Sequence, residues 1–238
     1  MSAAERAVAA DLWLAANGTE YYDARLAELS DDDIGGPSLL PGWDRGHVVA
    51  HVAFNARALA RLVHWAGTGV KNPMYPSTRS RNDEIDNGAP LTAPALRSLH
   101  RVERAALNAA WRELPAERWD FPVRTAQGLT VPVSVTPWMR VREVWLHGVD
   151  LGNGGRFEDF PPELVDRLLV DVVSWWAAAG QGAELTLAAT DRTLPELPVS
   201  GPVTVTGTAA QLARWATGRG GDGVTTATGE PPAAPRWL

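Results

Sequence analysis

The segment Thr136–Leu151, TPWMRVREVWLHGVDL, does most to constrain what this chain can fold into. It opens on Thr-Pro, a hydroxyl able to cap free N–H groups and then a proline whose missing N–H costs nothing at the first helical position. Val141, Val144, Trp145 and Val149 recur at helical spacing and form an apolar stripe. Beside it runs a second stripe: Thr136, Arg140, Glu143, His147 and Asp150. Residues four apart sit one above the other on a helix, so Glu143 and His147 converge on one point. A carboxylate and an imidazole held this way can bind a metal, provided that a third ligand comes from elsewhere.

Three earlier segments read as helices. Ser2 to Glu5 is a possible capping box, and the helix it opens runs to about Leu29. Asp44 can cap a second helix reaching about Ala66, with Val48, Val52, Leu59 and Leu62 on its apolar face. A third runs from about Ala93 to Leu114. Between the second and third lies a long connection rich in Gly, Pro and Ser, residues 67–91, a candidate lid or pocket wall that contains Arg79, Arg81 and Asn82. Residues 121–133 look like a small hairpin.

Beyond Gly152-Asn-Gly-Gly155 the texture changes. A helix over about 162–179, strands at 184–189 and 203–206, and a helix at 209–217 opened by Thr208-Ala-Ala-Gln211 suggest a small α+β domain. The predicted fold class is therefore α+β overall: a four-helix bundle over 1–152, expected to bind metal, then an α+β domain over 153–238. Bundles often build metal sites from side chains on facing helices.

Composition narrows the chemistry. There is no cysteine among the 238 residues, which excludes thiolate metal sites and a cysteine nucleophile; any thiol must arrive as a cosubstrate. The formal charge of −6, with no basic block, argues against nucleic acid or an anionic membrane surface. The N-terminal stretch has early acids and no sustained apolar run, so it reads as neither signal peptide nor membrane span. The expectation is a cytoplasmic protein, and a monomer, because no apolar helix face is surplus to the two domains.

The second helix offers the missing ligand in His47-Val-Val-Ala-His51, two imidazoles one turn apart. Two histidines and a glutamate leave coordination positions open, the pattern of catalytic zinc, although the same set suits Fe(II). The bland alternative is an ordinary polar contact between helix residues. His47 and His51 compete for the third position; His51 is preferred, with His47 nearer the helix start as a cap or an orienting group. Arg140 and Asp150 lie on the ligand stripe and could orient a ligand, though a helix-end aspartate is as often merely solvated. His64 and His100, without acidic or histidine partners at helical spacing, read as ordinary helix residues. Arg81 and Arg219 sit in loop-like settings, and two guanidinium forks would suit a dicarboxylate. Gly218-Arg-Gly-Gly-Asp-Gly223 lacks the lysine and context of a phosphate loop.

The stretches PGWDRGHVVAHVAFNARAL (41–59), MYPSTRSRNDEI (74–85), TAQGLTVPVSVTPWMRVREVWLHGVDL (125–151) and GRGGDGVTTATGEPPAAPRWL (218–238) together resemble the mycothiol-dependent maleylpyruvate isomerases. The resemblance runs in order along nearly the whole chain and is less clear around 190–200. It implies a DinB-like four-helix bundle followed by a small α+β domain. It also implies a divalent metal, with zinc the expected ion, held by His51, Glu143 and His147, and active-site arginines at Arg81 and Arg219. The implied reaction is mycothiol-dependent cis-to-trans isomerisation of maleylpyruvate, a small dicarboxylate, to fumarylpyruvate in gentisate degradation. Two rivals remain: a mycothiol S-transferase using the same metal and thiol, and a non-catalytic module that binds a small ligand.

Overall fold

Helix α1 (Ala3–Glu28) starts at the capping box: the Ser2 hydroxyl accepts from Glu5 N at 3.1 Å, and the Glu5 carboxylate accepts from Ser2 N at 2.7 Å. Both groups satisfy amide donors that a helix end leaves open. The computed structural model describes residues 2–237 and divides the chain into two compact units, Met1–Gly155 and Arg156–Leu238.

The first unit is built on four long helices: α1, α2 (Arg45–Thr68), α4 (Ala93–Glu113) and α5 (Thr136–Asp150). Asp44 caps α2 by accepting from His47 N. Val48, Val49, Ala50, Val52, Ala53, Ala56, Ala58, Leu59 and Leu62 on α2 are all fully buried, because this helix packs against both α4 and α5. A helix covered on several sides is apolar nearly all round, which explains why its sequence stripe is so broad. Helix α1 packs closely on α5. Trp145 Nε1 donates to Leu14 O at 3.1 Å, and its indole stacks on Tyr21 at 4.9 Å. A Cβ at Gly18 would lie 2.4 Å from Trp145 Nε1, so only glycine permits this approach. Arg97 on α4 donates to Leu26 O and Leu29 O, both at 2.6 Å, and so satisfies carbonyls at the α1 C-terminus.

Two expectations need correction here. Residues 67–91 are not one long loop: they contain helix α3 (Thr78–Gly88), whose N-cap Ser77 accepts from Ser80 N at 3.0 Å. Only Ile85 and Gly88 of this helix are buried, so it has almost no apolar stripe to betray it. Thr136, moreover, does not cap α5. Its hydroxyl donates to Val133 O at 2.7 Å and accepts from Trp111 Nε1 at 3.1 Å, which ties α5 to α4. The hairpin forms as β1 (Pro122–Arg124) and β2 (Thr130–Pro132), antiparallel.

The second unit holds α6 (Pro162–Ala178), β3 (Leu185–Ala189), β4 (Val203–Gly207) and α7 (Ala209–Ala216). Strands β3 and β4 pair in parallel, Leu185 opposite Val203 through Ala189 opposite Gly207. The Thr208–Gln211 capping box opens α7. Helices α6 and α7 meet through Trp176 and Trp215, edge to face at 5.8 Å.

Candidate metal centre

His51, on α2, and Glu143 and His147, on α5, bring their ligand atoms within 4.8 Å of one another. His51 Nε2 lies 2.9 Å from Glu143 Oε2, and His147 Nε2 lies 3.2 Å from the same oxygen. The imidazole rings stand edge to face, 4.8 Å apart. Glu143 Oε2 is buried without a well-aligned hydrogen bond, while a quarter of the glutamate side chain stays accessible.

The electrostatics follow from burial and proximity. Burial alone would raise the Glu143 carboxyl, but His51 and His147 outweigh it and hold the group well below the usual carboxylate range. Burial lowers His51, against the pull of Glu143. Burial also disfavours the charged form of His147, yet Asp150 and Glu143 carry it above the ordinary histidine value. The glutamate is therefore ionised beside two imidazoles that face one point. A buried carboxylate oxygen shared by two imidazole nitrogens, with no aligned partner, fits a divalent cation, and an N2O donor set suits zinc.

Arg140, which is 1% exposed, bonds α5 to α2 beside the ligands. Its Nη1 donates to Val52 O at 2.7 Å and to Asn55 Oδ1 at 3.0 Å. Asp150, fully buried, accepts from His147 Nδ1 at 2.8 Å. His47 does not join the cluster. Its Nδ1 pairs with Asp44 at 2.7 Å and its ring stacks on Trp43, which also tilts against His51 at 5.4 Å. His64 is exposed, whereas His100 is not ordinary: its Nε2 pairs with Asp23 on α1 at 2.8 Å. Sequence spacing could not show that partner, which lies 77 residues away in the chain.

Arg81 comes to the cluster on α3, with Nη2 3.5 Å from His51 Nδ1. Arg61 on α2 secures this segment by donating to Met74 O at 2.7 Å and to Glu84 Oε1 at 3.1 Å. Arg219 belongs to the second unit, where its Nη1 donates to Thr217 O at 2.9 Å. Tyr75 was missed by sequence reasoning. Burial and the charges of Glu143 and Arg81 act on its phenol, which is pushed up to about 12 and stays a proton donor beside the cluster. Its only sequence signal was its place one residue after Met74 in the Arg81 stretch.

The family model described as the mycothiol maleylpyruvate isomerase N-terminal domain matches residues 15–152. The chain belongs to this family. The model of the family's C-terminal domain matches residues 159–236. A crystal structure of the mycothiol-dependent maleylpyruvate isomerase is 45% identical, covers 97% of each chain and superposes with a TM-score of 0.91. A histidine-to-alanine mutant of that isomerase is 44% identical over the same coverage, also at 0.91. No curated protein matches. The α+β class expected from the sequence is the class of this isomerase fold. Among the described residues, no helix is long and apolar enough to cross a membrane.

Proposed function

We propose that this protein isomerises maleylpyruvate to fumarylpyruvate with mycothiol as thiol cosubstrate. The observation that carries the reading is the convergence of His51, Glu143 and His147 within 4.8 Å in a chain that is 45% identical to a mycothiol-dependent maleylpyruvate isomerase over 97% of its length.

In this reading His51, Glu143 and His147 hold a divalent metal, which we take to be zinc. A metal there supplies Lewis acidity that favours the thiolate form of a sulfur ligand. The thiolate sulfur adds to one carbon of the cis double bond, and the displaced pair becomes an enolate on the adjoining carbonyl. The former double bond is now single and rotates. Collapse of the enolate restores the double bond as trans and expels the sulfur with its electron pair, so the cosubstrate returns unchanged. Arg81 would bind a substrate carboxylate and stabilise the developing negative charge, a task suited to a planar guanidinium. Arg219 is the second arginine that the family resemblance implies for a dicarboxylate substrate. The absence of cysteine agrees with an external thiol. We take the chain as a monomer working in the cytoplasm. Neither an S-transferase nor a non-catalytic binding module is favoured.

The test is an absorbance assay with maleylpyruvate, with and without mycothiol, on zinc-loaded and chelator-treated protein. Fumarylpyruvate formation that needs both thiol and metal is the expected result. Thiol consumption with other electrophiles and no isomerisation would replace this reading with the transferase.

A further inference from the structure

We infer that Asp150 is a positioning residue for the metal centre, holding the His147 imidazole so that Nδ1 faces the aspartate and Nε2 faces the point shared with His51 and Glu143. The inference rests on the metal reading above and extends it to a residue outside the ligand set.

Several observations converge. Asp150 Oδ2 lies 2.8 Å from His147 Nδ1, while His147 Nε2 lies 3.2 Å from Glu143 Oε2, so the two ring nitrogens have separate partners. A carboxylate only accepts, so the bond at Nδ1 holds a ring proton there and leaves Nε2 as the nitrogen able to ligate a cation. The aspartate is itself well anchored. It is fully buried at the end of α5, its carbonyl accepts from Leu39 N at 2.9 Å, and the next carbonyl, Leu151 O, accepts from Arg45 Nε at 2.7 Å. Burying a carboxylate is costly unless it is paired, and the 2.8 Å bond to His147 Nδ1 is one such pairing.

His51 provides the contrast. Its Nδ1 faces Arg81 Nη2 at 3.5 Å, and a guanidinium only donates. The two histidines therefore differ in what stands behind them: a carboxylate at Nδ1 of His147 and a guanidinium at Nδ1 of His51. Helical spacing makes the arrangement possible, because Asp150 follows His147 by three residues and lies on the same stripe.

The experiment is a competitive chelator titration with Zn2+, together with the absorption spectrum of the Co2+-substituted protein, on wild type, Asp150→Asn and Asp150→Ser. Loss of such a partner weakens metal affinity roughly 10- to 100-fold. We expect that loss and an altered Co2+ spectrum, with helical content by circular dichroism unchanged. Asp150→Ser serves the same purpose should Asp150→Asn not fold. Wild-type affinity and spectrum in a folded Asp150 variant would overturn the inference. Wild-type protein that takes up neither ion would instead bring down the metal reading itself.

Discussion

Arg140 on α5 donates to the carbonyl oxygen of Val52 on α2 at 2.7 Å, one residue beyond His51 and three residues before Glu143. A buried guanidinium thus joins the two ligand-bearing helices next to the ligands themselves, and its second bond from Nη1, to Asn55 Oδ1, restrains the same turn. Arg140→Ala should cost about 3 kcal/mol, because it opens a cavity and leaves a buried amide oxygen short of its partner. Urea unfolding measures this. Metal affinity should fall as well, since the register between His51 and Glu143 loosens; an unaltered affinity would show that packing alone sets the register.

His51→Ala should abolish stoichiometric zinc binding and activity while the protein stays helical. The structure pairs His47 with Asp44 and leaves it outside the cluster. Metal analysis of the purified variant decides the matter: a full equivalent of zinc would transfer the ligand role to His47.

Arg81→Ala and Arg219→Ala should each retain zinc and lose turnover by on the order of 100-fold, the usual scale for removing a group that stabilises developing charge. Steady-state kinetics with metal content measured in parallel provides the check. Near wild-type turnover in either variant would remove that arginine from the mechanism.

His100 gives the fold an acid-sensitive point. Burial, reinforced by the Arg140 charge, lowers its value to about 3 despite the Asp23 contact, and its Nδ1 is buried without a hydrogen-bond partner. The unfolded chain takes up the proton near pH ~6.5, so the native state is at full advantage above that value and loses it as pH falls towards 3. The slope reaches about 1.4 kcal/mol per pH unit for one group. Stability measured between pH 7 and pH 4 should fall more steeply in wild type than in His100→Gln; parallel curves would assign the acid limb to other groups.

Gly18→Ala should destabilise the first unit by about 2 kcal/mol, because the new methyl meets Trp145 at 2.4 Å and Val144 at 2.6 Å within the α1–α5 contact. Thermal unfolding measures the loss. An unchanged midpoint would mean that the Trp145 ring can move aside at no cost.

The sequence by itself determined most of the elements and the chemistry available to them. A capping box marked α1, apolar residues at helical spacing marked α2, α4 and α5, strand-like runs marked β3 and β4, and the absence of cysteine required any thiol to come from outside. Glu143 and His147 were legible as a pair because four residues make one turn, a local fact of the helix. Helix α3 was not legible, since its polar residues are held by Arg61 and by a glycine fitted against Phe54, contacts that come from other parts of the chain. The choice between His47 and His51 as the histidine facing Glu143 could not be read from their spacing either, because both sit on the same face of α2. Tertiary packing decided it: with Arg140 of α5 bonded to Val52 O of α2, His51 meets the Glu143 carboxylate and His47 does not. The partnership of His100 with Asp23 was decided the same way, across two helices whose approach no spacing rule encodes. Local periodicity is written residue by residue, whereas the meeting of two helices depends on every side chain packed between them.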